Sequence, residues 1–194
     1  MISHFLRFAL ILSLAVTAPA FAEDGGGGDY GGRSGSGSAG GSAGGFSSGV
    51  TKSVVRIINR GIKDCTSIDS VYRYDCYRLT YKLATDRITG IPAYAPAQKA
   101  LAKVQSTLET IVDRNVDTTV PRKRKGLQTY KAIKPAAVAS SKRQFTSALN
   151  QAETTLLRSP DSGTDHFTRI AAAVNSNKVL LRSALKLLAR ILFA

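Results

Sequence analysis

From residue 50 onward, apolar residues recur every three or four positions and show no sustained alternation, the signature of helices rather than strands. Val54, Val55, Ile58 and Ile62 share one face of a short first helix over 51–63, with Gly61 fitting a break near its end. A second helix starts between Thr66 and Asp69 and reaches about Ile88, where Gly90 and Pro92 stop it. Its expected core stripe is Ile68, Val71, Tyr72, Cys76, Leu79 and Leu83. Leu101, Val104, Leu108, Ile111 and Val112 mark a third helix over 97–115.

The stretch 117–135 reads as a connector, with a short helix expected between Leu127 and Ile133. A fourth helix starts at Pro135, because the first helical position needs no N–H donor. It runs to about Arg158 with Val138, Phe145, Leu149, Ala152 and Leu156 inward. A fifth stripe, over 165–193, contains Phe167, Ile170, Val174, Leu181, Leu185, Leu188 and Leu192. Each stripe is as wide as the buried face of a bundle helix. The expected fold is therefore all-α: a helical bundle of four main helices plus a short N-terminal helix, preceded by a disordered Gly/Ser-rich tether.

The pattern changes sharply upstream. Residues 1–22 have a cationic start at Arg7, an apolar run and the small-residue site Ala20-Phe21-Ala22, as in a secretory signal peptide. Residues 23–49 are dominated by glycine and serine and offer little to bury, so they read as a flexible linker. A coil of that length places its ends about 30 Å apart. The remaining segment, 50–194, is the basic helical-bundle domain. This organisation predicts export, to a periplasm or beyond the cell.

Charge sharpens the reading. The chain has a formal net charge of +14. Residues 1–22 carry one cation, and residues 23–49 hold Arg33 against Glu23, Asp24 and Asp29, so residues 50–194 carry +15. A domain this basic attracts anionic partners. Outside the cytoplasm those are an anionic envelope component, an acidic protein or an anionic lipid surface, with nucleic acid disfavoured.

Two groups of cations are candidate anionic-ligand sites. Arg122, Lys123, Arg124 and Lys125 form a dense loop between Pro121 and Gly126. Lys178, Arg182, Lys186 and Arg190 form a ridge with a four-residue spacing on the last helix. A cationic, leucine-rich helix suits a membrane interface, and equally suits a bundle that shows its charges to water. An apolar arc left uncovered there would serve a homo-oligomer.

Catalytic machinery is scarce. His166 is the sole histidine after residue 22 and has no second histidine or cysteine at metal-ligand spacing. It reads as a surface residue at a helix start. No catalytic residue, metal or cofactor is expected.

Cys65 and Cys76 are the chain's two cysteines. On one continuous helix they would lie about 16 Å apart, too far for a disulfide. The bond therefore demands a reversal, which Thr66 to Ser70 can supply, and an oxidising compartment favours it. On the same helix Tyr74, Tyr77 and Tyr81 follow i, i+3, i+7, with Arg73, Arg78 and Lys82 interleaved. They read either as a second packed face or as an exposed aromatic-cationic strip for sugar rings, phosphate or carboxylate. The sequence thus predicts a non-enzymatic, exported binding or structural bundle with a basic recognition surface. The alternative is a peripheral protein that binds anionic lipid through the C-terminal helix and the basic loop.

Overall fold

A computed structural model describes residues 45–159 and 163–192, with 179–192 described as helical backbone. The expected signal peptide and nearly all of the expected linker lie outside the described residues. Five helices follow: α1 (Ser48–Thr66), α2 (Arg73–Asp86), α3 (Ala95–Asn115), α4 (Val138–Leu157) and α5 (Thr164–Leu192). Each packs on the next in the chain, and α5 closes the ring against α1. A bond between Thr51 and His166 and one from Ser176 Oγ to Asn59 Oδ1 advance together along the two helices, so α5 runs parallel to α1.

The first helix is longer than expected. It spans 19 residues and passes through Gly61 without breaking. That glycine serves close packing instead, since a Cβ placed there would meet the Thr80 side chain of α2 at 2.4 Å. Thr51, Val54, Ile58, Ile62 and Cys65 form the buried stripe of α1.

The connector differs more. In place of a short helix, Lys123–Lys125 (β1) and Gln128–Tyr130 (β2) form an antiparallel hairpin. The arm is closed at its base by a Val116–Ile133 bridge and by bonds from Asp117 N–H to Ala132 O and from Lys134 N–H to Asn115 O. The fold is mostly helical with one small sheet.

The expected α2 stripe enters the core only in part: Ile68 and Cys76 are buried, but the tyrosine face is buried as well. Leu83 is 53% exposed, and Val71, Tyr72 and Leu79 are half-buried, whereas Tyr74, Tyr77 and Tyr81 are buried. Five helices in a ring leave a central space that short side chains would fill poorly, and close packing calls for long ones. Tyr77 stacks on Phe145 of α4 with centroids 5.1 Å apart. Tyr81 accepts a 2.6 Å bond from Asn177 of α5, and Tyr74 donates to Val138 O. The phenols span the interior and still give their oxygens polar partners.

The opposite stripes behave as their spacing predicts on α3, where Leu101, Val104, Leu108, Ile111 and Val112 are all buried. On α4, Phe145, Leu149, Ala152 and Leu156 are buried and Val138 is half-buried. On α5, Phe167, Ile170 and Val174 are buried. The side chains of Leu181, Leu185, Leu188 and Leu192 lie outside the described residues.

Candidate anionic-ligand surface

The hairpin stands over the corner between α1 and α2. Cys65, in the last turn of α1, and Cys76, in the first turn of α2, are bonded with Cα atoms 5.6 Å apart. The chain reverses between them over Ser67–Tyr72, which meets the geometric demand of the bond. Around this cystine the arm is tied down from three sides. Tyr72 Oη donates to Pro121 O, Ile133 N–H donates to Val71 O, and Lys131 N–H donates to the buried Asp75 carboxylate, which also accepts from Arg78 Nε.

Strand periodicity then sorts the four hairpin cations. Alternate residues of a strand point to opposite faces. Lys123 and Lys125 point back to the corner, where Lys123 Nζ lies 2.8 Å from Asp69 Oδ2 and Lys125 Nζ donates to Ser67 Oγ and Asp64 O. The Lys123 ammonium also lies 5.8 Å from the centre of the Tyr72 ring. Arg122 and Arg124 are exposed, and among the described residues no carboxylate pairs with either.

The inward pair has an electrostatic signature. The hydrogen bond from Lys123 holds the Asp69 carboxyl below its ordinary range, and Asp69 raises the Lys123 ammonium in turn. A depressed carboxylate pKa means that this contact is present above the ordinary carboxylate range and is lost as pH falls through the lowered value. The clamp therefore stands at neutral pH. Beside it, Val116, Asp117, Val120, Arg122 and Lys131 help to line a shallow hollow of about 480 Å³. Its Asp117 is held low by bonds from the Thr119 hydroxyl and N–H.

The second expected cluster is altered at the one member whose side chain is described. Lys178 forms an ion pair with Glu153 and is only 11% exposed, so it is not a free cation of a surface ridge. Arg182, Lys186 and Arg190 fall on α5, and their side chains lie outside the described residues. The tyrosine strip must also be withdrawn as a binding surface, since Tyr74, Tyr77 and Tyr81 are 4%, 2% and 0% exposed. Burial pushes the Tyr77 hydroxyl up to about 12 and raises those of Tyr74 and Tyr81 as well.

A further basic feature was legible but overlooked. Lys52, Arg56, Arg60 and Lys63 are spaced four, four and three residues apart and are all exposed on α1. Helical geometry places them on one ridge. Among the described residues no carboxylate pairs with any of them. The ridge ends in the turn of α1 where Lys125 bonds the Asp64 carbonyl, so ridge and hairpin adjoin.

His166 is not a simple surface residue. Its Nδ1 lies 2.7 Å from Thr51 Oγ1, which lies 2.6 Å from Tyr94 Oη. Phe46 stacks on the imidazole with centroids 4.9 Å apart, so it belongs to the folded domain rather than to a tether. Among the described residues no group of three or more His, Cys, Asp or Glu is placed to hold a metal ion, and no helix is long and apolar enough to cross a membrane. No family model, curated protein or solved structure matches the chain.

Proposed function

We propose that the protein is an exported, non-enzymatic binding or structural bundle whose basic surface recognises an anionic envelope component. One observation carries this reading: the hairpin engages two of its cations in holding itself down and turns Arg122 and Arg124 outward. Charges needed only to anchor the arm would all face the corner. The adjoining ridge of Lys52, Arg56, Arg60 and Lys63 extends the same potential along α1.

Export is supported by the signal-like residues 1–22 and by the Cys65–Cys76 bond, a type of link that persists in oxidising compartments. The non-enzymatic reading is supported by His166, whose ring is stacked under Phe46 and bonded to Thr51.

The test compares two charge reversals of equal size. Arg122→Glu with Arg124→Glu is set against Lys99→Glu with Lys103→Glu, an exposed pair on α3. Binding to dextran sulfate is measured across salt concentrations, because such attraction is screened by salt. The hairpin reversal is expected to weaken binding at least about tenfold at low salt, and the α3 reversal less than about threefold. Equal losses would reduce the attraction to net charge and remove the site.

A further inference from the structure

The register of the hairpin pairs Lys125 with Gln128 and leaves Gly126 and Leu127 as a two-residue turn. Gly126 has φ +58°, a left-handed conformation that glycine adopts without strain and that two-residue hairpin connections require. Leu127 has no such reason to be there. Turn positions favour residues that supply a backbone conformation or a local hydrogen bond, and leucine supplies neither. Its side chain is 94% exposed, against 57% for Leu157 and 53% for Leu83. It stands at the tip of the arm, with outward Arg124 on the adjoining strand and Arg122 further down, at the base beside Lys131.

The arm beneath this tip is fixed. Three cross-strand residue pairs, the Val116–Ile133 bridge, the Tyr72 to Pro121 bond and the two inward lysines hold it to the disulfide corner. Presenting Leu127 therefore requires little further ordering, which favours a contact made through few groups.

The chemistry of the occupant follows from what the tip offers. A soluble polyanion would pair with the arginines and gain nothing from Leu127. A stable protein partner needs roughly 800 Å² from each side and some 20–30 residues, more than a two-residue tip with two cations along its arm presents. An anionic bilayer accepts both parts: phosphates at the headgroup level for the guanidinium groups, and an acyl boundary just below for one apolar side chain. Arginine matches phosphate with two parallel donors. We propose that the hairpin tip is an insertion finger for an anionic lipid bilayer, with Leu127 entering the acyl boundary and Arg122 and Arg124 binding lipid phosphates.

This proposal rests on the basic-recognition reading and adds a surface and a depth to it. The contact is weak and reversible, set by one leucine and two arginines, and it needs no contribution from α5.

The chain contains no tryptophan, so Leu127→Trp introduces a single tryptophan, selectively excited above the tyrosine band, at the proposed depth. The full chain and its variants are sedimented with vesicles of phosphatidylcholine containing phosphatidylglycerol, with pure phosphatidylcholine vesicles, and titrated with dextran sulfate. Wild type is expected on the anionic vesicles at low salt and not on the neutral ones. Leu127→Ala lowers that partitioning about tenfold to thirtyfold. Arg122→Gln with Arg124→Gln lowers it to a similar extent, about fivefold for each cation.

Leu127→Trp binds, shifts its emission to the blue and is quenched by lipids brominated on their acyl chains. Since all three positions are exposed, unchanged helical circular dichroism is the folding control. Arginine-dependent binding that is indifferent to Leu127→Ala, with unshifted tryptophan emission, would overturn the finger while leaving the basic-recognition reading in place. Binding to dextran sulfate without binding to anionic vesicles would do the same. Binding to neither probe would overturn both.

Discussion

At the Ser48 end of α1, Thr51, Tyr94 and His166 exchange hydrogen bonds beneath Phe46. At the Thr66 end, a cystine, the buried Asp75 and two lysine contacts hold a hairpin over the corner. Both arrangements close the bundle. The first does so with hydroxyls, an imidazole and aromatic rings, and Tyr94 Oη also accepts from Ser47 N–H and donates to Ser47 O. The second also closes its corner, yet retains exposed cations, Arg122 and Arg124, that no carboxylate among the described residues pairs with. Closure here does not require surplus charge, so the charge at the hairpin end calls for a different explanation, and recognition supplies one.

The harshest way to probe this contrast is to strike the middle that both ends share. Unfolded tyrosines ionise near pH 10, whereas buried Tyr74, Tyr77 and Tyr81 keep their protons, Tyr77 up to about 12. Between those values the unfolded state binds fewer protons, so stability falls as pH rises, by about 1.4 kcal/mol per pH unit for each tyrosine. Helical circular dichroism and tyrosinate absorbance should therefore change together in one transition, with both ends lost at once. Gradual ionisation of these tyrosines at constant helix content would contradict their burial.

Removing the cystine separates the ends. Cys65→Ala with Cys76→Ala should cost about 3 kcal/mol of unfolding free energy for a loop of this length. Amide exchange should accelerate more in the hairpin than around Thr51 and His166. Equal acceleration at both ends would erase the distinction between them. Tyr94→Phe should have a smaller effect, about 1–2 kcal/mol in urea unfolding, because it leaves the partly buried Ser47 and the buried Thr51 without the hydroxyl they share. It should leave vesicle binding unchanged, since that surface lies at the other end of α1.

The helices were legible because the apolar spacing on α3, α4 and the first part of α5 reflects burial directly. Two regions resisted for physical reasons. On α2, tyrosine is amphipathic, and its i, i+3, i+7 strip interleaved with arginines looks like either face until its neighbours are known. The helices opposite decide, because Tyr77 reaches Phe145 of α4 and Tyr81 reaches Asn177 of α5, contacts for which Leu79 and Leu83 carry no ring or hydroxyl. The hairpin was hidden because Lys123-Arg124-Lys125 has no apolar alternation to reveal a strand. Its one local signal was Gly126, adjoined by Leu127, with β-favouring Thr129 and Tyr130 following.

The basic loop was legible as charge, but its division into inward lysines and outward arginines follows only from strand pairing. The α1 ridge carried the same periodic signal as the expected ridge on α5, and only exposure distinguishes Lys52, Arg56, Arg60 and Lys63 from Lys178, which is taken up by Glu153.

The placement of the cystine has a mechanical consequence. Phe46 packs at the Ser48 end of α1, and α1, about 28 Å long, separates that point from the hairpin corner. A pull on the N-terminal side against a hairpin held at a surface would load α1 along its axis. At the far end the force would pass through Cys65 into Cys76, bypassing the ten residues between them. About 35 Å of contour is thereby withheld from extension. Under tension the corner that carries the arm would act as a covalent stop, while the hydrogen-bonded end beneath Phe46 would be the part that yields.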